Sequence, residues 1–350
     1  TAGKGTPDDP YILEGWQIQV SSGAAITIKN TRAYFVLRGC VLVGSPTAEC
    51  YGVYLENVSH ATLYNLTIAS MPCSSSAAIY IRNCSDITVF LNHIYDVDDG
   101  INLIDCGNVT IQLNIVEAYD VGIDVAARCN LVNITLNCVT KSRLAIFLCS
   151  TENSTVISNV ISGLTGTGID IVGGCRSLVV SGNIVANFTT GTGIAVYPGC
   201  EDVLISTNVV GQFPELGLGE CGHGRGMRLH YAAHTVVFNN TFRCTEVGLW
   251  LEHASDNTIT YNNFLNCTTC GLNSTSSGDN LIHHNNFINN TVNAWDDGAT
   301  NIWYDSVAKE GNYWDDYTGE DADKDGIGDT PYTIPGPGGN KDLYPLMRPV

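Results

Sequence analysis

The stretch Gly319–Tyr332, GEDADKDGIGDTPY, sets carboxylates at every second position: Asp321, Asp323 and Asp325. Gly326 follows where a tight loop would turn, and Asp329 stands beyond it. Alternate side-chain oxygens, joined by one backbone carbonyl such as that of Ile327, make the shell a hard cation takes. Calcium is the expected ion, because magnesium demands tighter geometry and keeps its waters. The alternative is a solvated acidic turn.

Other acids could move protons. The run DVDDG supplies Asp98 and Asp99 at a turn, and Asp124 and Asp170 fall on outward positions of alternating runs. Paired carboxylates can serve as acid and base on a glycosidic bond. A GHG occurs at 222–224, followed by Arg225 and Arg228, but His223 lies about five repeats from Asp98 and Asp99. Solvated turns are the plainer reading of Asp98, Asp99, Asp124, Asp170 and His223. Six of the eight histidines lie from His223 onward: His223, His230, His234, His253, His283 and His284. His230 and His253 near Glu252 could offer copper or zinc a site, although methionine is scarce and the spacings are irregular. The outward aromatics Tyr54, Tyr80, Phe147 and Trp250 share the column of Asp124. Such a strip can hold a sugar chain or make a lateral protein contact.

These residues need a scaffold, and 350 residues is long for one compact domain but ordinary for a repetitive one. Sixteen basic against thirty-five acidic residues give a net charge of −19. That balance disfavours nucleic acid and anionic membrane, which need basic clusters. No apolar run reaches the length of a membrane span. Fourteen cysteines without repeated C-x-x-C pairs read as structural disulfides in an oxidising compartment. Sequons at Asn57, Asn65, Asn83, Asn108, Asn133, Asn153, Asn187, Asn239, Asn266, Asn273 and Asn289 point the same way, as glycosylation candidates. The chain opens on Thr1, which reads as a mature secreted protein without its signal peptide.

A repeat of about 22 residues organises the chain. GINLIDCGNVTIQLNIV, GIDVAARCNLVNITLNCV, GIDIVGGCRSLVVSGNIV and GLWLEHASDNTITYNNF show the unit. Apolar residues alternate at its start, as Ile101 and Leu103, or Ile123 and Val125, and a second short strand follows. No helical period is sustained. A unit this short fits one coil of a parallel β-solenoid, in which each strand pairs with its equivalent one coil away. Asn92, Asn114, Asn137, Asn159, Asn183, Asn208, Asn240, Asn262 and Asn285 form one column, where asparagine can take left-handed geometry and bond the next coil. Cys84, Cys106, Cys129, Cys175 and Cys200 form another, while Cys244 and Cys267 share a third. Coils sit about 4.8 Å apart, within disulfide reach, so these cysteines and Cys149 are candidate staples. A reduced, buried row is the alternative.

The pattern resembles the right-handed parallel β-helix superfamily. More closely it is similar to the tandem repeats of the periplasmic copper-binding, nitrous-oxide-reductase maturation type, found in many archaeal surface proteins. The entry GTPDDPYILEGWQI and the exit GNYWDDYTGEDADKDGIGDTPYTI resemble the edges of that repeat region. The acidic loop resembles calcium loops of the EF-hand and dockerin types, with Tyr332 where their last glutamate would stand. Polygalacturonases of the same superfamily use paired aspartates with a GHG, and the resemblance makes the acids above catalytic candidates.

The expected fold is therefore all-β: a parallel β-helix of about twelve coils over 1–305, with an irregular calcium-binding cap over 306–350. Tyr313, Trp314, Tyr317, Tyr332, Tyr344 and several prolines surround the acidic loop and suit such a cap. The expected role is structural: an extracellular filament or surface layer in which copies of the chain join end to end. A polysaccharide-active enzyme, and a module that binds cell-surface glycans or delivers metal, are the alternatives.

Overall fold

The computed structural model describes residues 2–188, 190–217, 220–298 and 300–350. Two compact units divide the chain, Thr1–Thr165 and Gly166–Val350, and each is a parallel β-solenoid.

In the first unit the coil beginning at Asp99 shows the plan. Asp99–Ile104 lies on a first face, Gly107–Gln112 on a second and Ile115–Ala118 on a third. The chain then re-enters the first face at Val121–Ala126. Each strand pairs in parallel with its counterpart one coil on: Ile101 with Ile123, Val109 with Val132, Ile115 with Cys138. Alternation with period two sends Ile101, Leu103, Val109, Ile111 and Val116 inward, and all are fully buried. The sequence reading of two strands per coil misses the third. Strands such as Cys138–Thr140 are only three residues long, too short for alternation to register.

The corners explain the asparagine column. Asn92, Asn114 and Asn137 are buried, and each donates from Nδ2 to the Oδ1 of the next, at 2.9 Å for both Asn92–Asn114 and Asn114–Asn137. The Oδ1 atoms also accept the preceding coil's backbone N–H, as Asn114 does from Asn92. The bonding follows expectation, but the left-handed geometry does not. It belongs to the residue before, at Leu91, Leu113 and Leu136, with φ of 55°, 55° and 57°. A side chain turned inward to bond the ladder needs ordinary backbone, and the reversal falls one position earlier.

The second unit opens with Thr167–Val172, Arg176–Ser181 and Ile184–Phe188 and repeats the plan. Its asparagine ladder runs through Asn208, Asn240, Asn262 and Asn285 to Asn312. Its core carries a stack of rings: Phe242 on Phe264 at 5.4 Å, Phe264 on Phe287 at 4.8 Å, Phe287 on Trp314 at 4.4 Å. Tyr313–Trp314 extends the third face by pairing with Asn286 and Phe287. Beyond it the chain is irregular apart from one small antiparallel pair, Tyr332–Thr333 with Lys341–Asp342. Buried Asp342 accepts hydrogen bonds from Trp314 Nε1 and from the Asn312 N–H, and buried Asp296 accepts from Trp303 Nε1.

One disulfide is present among the described residues, Cys221–Cys244, with Cα atoms 4.3 Å apart. Cys221 had no repeat column to mark it. Cys84, Cys106 and Cys129 stack as expected but as buried thiols, and Cys200 lies in hydrogen-bonding contact with Cys175. Cys149 stands outside that column: Thr151 fills the corner position, with Oγ1 donating to Val125 O. Cys267 is a buried thiol beside Thr245. The sequon asparagines Asn57, Asn65, Asn83, Asn108, Asn153, Asn187, Asn239, Asn266 and Asn289 have positive φ at coil corners. Corner geometry thus accounts for asparagine there whether or not sugar is attached. Thr189, which completes the Asn187 sequon, lies outside the described residues.

Candidate functional site

The first face of the first unit carries a row of outward side chains set by the strand register. Thr27, Tyr54, Tyr80, Asn102, Asp124 and Phe147 face one another in that order across successive strands. Tyr54 stacks on Tyr80 at 5.2 Å, and Tyr51 meets both edge-on. Lys29 lies over Tyr54 at 4.6 Å and pairs with Glu56 at 2.8 Å. The face thus has an aromatic stretch that runs into amide and acid.

The acids lie where the third face turns into the first. Asp99 accepts hydrogen bonds from the Val121 N–H at 3.1 Å and from Asn102 Nδ2 at 3.0 Å. Asp98 accepts from the Ser75 N–H at 2.9 Å. Asp120 pairs with Arg143. Asp124 has no such support: its Oδ1 is buried with no partner, and so is Oδ1 of Asn102 on the adjacent strand. Burial, then the charges of Asp99 and Asp120, push the Asp124 carboxyl up to about 7. Burial also raises Asp99, against its two hydrogen bonds, and raises Asp98. Asp98, Asp99 and Asp124 are therefore one group, together with Asp120, which the sequence reading left out. Asp120 occupies the turn position one coil after Asp98, and its N–H donates to Asp98 O.

The remaining candidates lie in the second unit. Asp170 is 8% exposed on the first face. After burial, its charge is the next cause that raises the Tyr197 hydroxyl. His223 is exposed at the end of the long insertion, just before Arg225–His230. His230 Nδ1 lies 3.1 Å from Glu252, but His253 is not its neighbour. The register sets His230 against Glu252, and His253 stacks on Tyr231 at 4.5 Å. His284 contacts Glu310 through Nε2 at 2.7 Å and His283 through Nδ1.

Among the described residues, three ligating side chains converge at one place, Asp321, Asp323 and Asp325, with oxygens within 4.8 Å of one another. The loop is folded on its own backbone. Asp321 accepts from the Asp325 and Gly326 N–H groups, Asp323 from the Asp325 N–H and Asp325 from the Ile327 N–H. Asp329 turns back to accept from the Ala322 N–H at 2.9 Å. Ile327 is anchored by a bridge to Leu346.

Fold and compartment define the class: an exported parallel β-helix protein. The chain matches the family described as periplasmic copper-binding protein (NosD) over residues 19–212 and 220–319, and it belongs to that family. The periplasmic family and the disulfide both place it outside the cytoplasm. No helix among the described residues is long and apolar enough to cross a membrane. No curated protein matches the sequence. Among solved structures, the periplasmic alginate epimerase AlgG shares the fold at 15% identity and a TM-score of 0.51, covering 73% of this chain and 74% of that one. DFA-IIIase from Arthrobacter chlorophenolicus A6, without its lid, is similar at 15% identity and a TM-score of 0.47, over 74% of this chain and 66% of that one. The surface adhesin PfbA of Streptococcus pneumoniae is similar at 11% identity and a TM-score of 0.47, over 68% and 72%.

Copper(I) favours sulfur donors, and copper(II) favours nitrogen joined by oxygen. The one converging set of three among the described residues is all oxygen, while His230 and His284 contact carboxylates and His253 stacks on Tyr231. Among the described residues no group of three or more side chains brings nitrogen or sulfur donors together, and the acidic loop offers oxygen donors.

Proposed function

We propose that this exported β-helix acts on a polysaccharide laid along the first face of its first unit. The observation that carries the reading is the pair of buried, partnerless acceptors, Asp124 Oδ1 and Asn102 Oδ1, on adjacent strands beside an aromatic strip. Two acceptors facing each other lack a donor, and a proton on Asp124 supplies one. A carboxyl that keeps its proton to about pH 7 can give it to a glycosidic oxygen. Asp99, oriented by two donors, is the partner that takes a proton from the attacking water. Water then adds to the sugar carbon as the leaving hydroxyl takes the Asp124 proton, so protons balance. Tyr51, Tyr54 and Tyr80 offer ring faces for neighbouring sugars.

The test is a panel of polysaccharides assayed for new reducing ends. Cleavage of one class, lost in Asp124→Asn and falling as pH rises through about 7, is expected. No cleavage of any class, or a pH profile unchanged by Asp124→Asn, overturns the reading.

A second reading, end-to-end assembly into a filament or surface layer, has its own support. In the first coil the inward residues Leu13, Ile18 and Ile28 are only partly covered, whereas their partners one coil on, Leu37, Leu42 and Leu55, are fully buried. A second copy of the chain could cover that edge. Electron microscopy of the native protein in calcium buffer would show regular filaments or sheets. Dispersed particles at every concentration would overturn this reading.

The ion at Asp321, Asp323 and Asp325 is proposed to be calcium, on the strength of oxygen donors in a flexible loop.

A further inference from the structure

The first face of the second unit carries a different chemistry. The chain has sixteen basic residues against thirty-five acidic ones, yet two arginines meet here on one tryptophan. The Arg225 guanidinium lies 4.5 Å from the Trp250 ring centre, and that of Arg228 lies 5.5 Å away. Their situations differ. Arg228 is held by Glu252, which also contacts His230. Burial would raise the Glu252 carboxyl, but Arg228 and His230 outweigh it and hold Glu252 low. Arg225 has no carboxylate partner among the described residues. Its backbone is fixed by donation to Gly191 O, and its strand pairs with Val247–Glu252.

Three features shape the ground around Arg225. Trp250 Nε1 donates to Thr275 Oγ1 at 3.2 Å, which fixes the ring. Beyond Trp250 in the same column come Asn273 and exposed Trp295. Between them lies a shallow cleft of about 270 Å³ lined by Thr269, Cys270, Asn273, Thr275, Val292 and Trp295. At the near edge, the insertion that ends at His223 is pinned by Cys221–Cys244 and by the Gly222 N–H donating to Cys244 O.

We infer that this face is a binding site for a carboxylated glycan, a chain of uronic-acid units, with Arg225 as the carboxylate receptor, Trp250 as the ring that positions it and exposed Trp295 as the sugar platform. A guanidinium over a ring still has N–H groups to offer, and they match a carboxylate in bidentate geometry. Unsatisfied positive charge in a strongly acidic chain selects an anionic ligand over a neutral one. Strand spacing along the column is close to the length of one sugar in a linear chain, so successive units can meet successive side chains. The site uses other residues than the acid group of the first unit and stands if the cleavage reading fails.

The test is calorimetric titration of the full chain with an oligogalacturonate and with the matching neutral maltooligosaccharide. The expected result is uronate binding that weakens with added salt and exceeds neutral binding by about tenfold or more. Arg225→Met should abolish that preference. Arg225→Lys, which keeps charge but not the fork, should retain part of it. Asp124→Asn should leave it intact. Thermal melts check that each variant is folded, and the wild-type salt dependence and uronate preference decide the matter should Arg225→Met not fold. Equal affinity for both oligomers, no binding of either, or an unchanged preference in folded Arg225→Met would overturn the inference.

Discussion

Asp124 sits in a row otherwise filled by threonine, aromatics and asparagine, and its surroundings decide its charge. Its carboxyl titrates at about 7 in the fold, against about 4 in an unfolded chain. For an acid raised on folding, the native state binds more protons than the unfolded state between those values. The stability it contributes is complete below about pH 4 and is lost as pH rises through about 7. Asp124→Asn removes this titration and keeps an N–H donor for Asn102. The wild type should therefore lose melting temperature between pH 5 and pH 8 relative to Asp124→Asn, with the difference closing in acid; parallel thermal melts across that range check it. Asp98 and Asp99 were legible as a turn, and Asp124 as an outward position. Their grouping was not, because closeness depends on which turn of one coil lies over which turn of the next.

At the scale of elements, the asparagine ladder is the strongest single device in either unit. Asn137 accepts from the N–H and Nδ2 of Asn114, and donates to Ile111 O at 2.9 Å and to Asn159 Oδ1 at 3.0 Å. Asn137→Ala would strand these buried groups, at a cost of about 2–4 kcal/mol, read as a lower urea midpoint with the slope preserved. The segment after Trp314 depends on a buried acid instead. Asp342 accepts from Trp314 Nε1, from the Asn312 N–H and from the Tyr344 N–H. Asp342→Ala leaves those donors unmatched, and limited proteolysis should then nick residues 315–350 before the rest of the chain unfolds. The ladder's column was readable from its regular spacing. Trp314 and Asp342 carry no period and had no such signal.

For the molecule as a whole, the net charge of −19 and the acidic loop make ions matter. Calcium at concentrations well above its dissociation constant should raise the melting temperature by about 5 °C, and Asp323→Ala should remove the gain. An unchanged melt on calcium addition or chelation would count against the proposed ion. Copper should give no comparable, saturable shift, since the group of three ligating side chains that converges among the described residues is all carboxylate.

By itself the sequence determined the repeat, the parallel pairing, the inward apolar rows and the export compartment. Each of these is local or periodic, and a coil of fixed length repeats its signal many times. It also located the acidic loop, whose three carboxylates lie within five residues: Asp321 to Asp325. Tertiary structure alone decided which acids share a corner, that Asp124 and Asn102 pair on adjacent strands with each Oδ1 buried and unpartnered, and that Cys244 bonds Cys221 rather than a column neighbour. It also decided that Arg225 lies on Trp250, with no carboxylate paired to it among the described residues. Such contacts join residues one coil apart, where an insertion or a one-residue shift at a corner changes every partner. A chain read in one dimension carries no mark of that register.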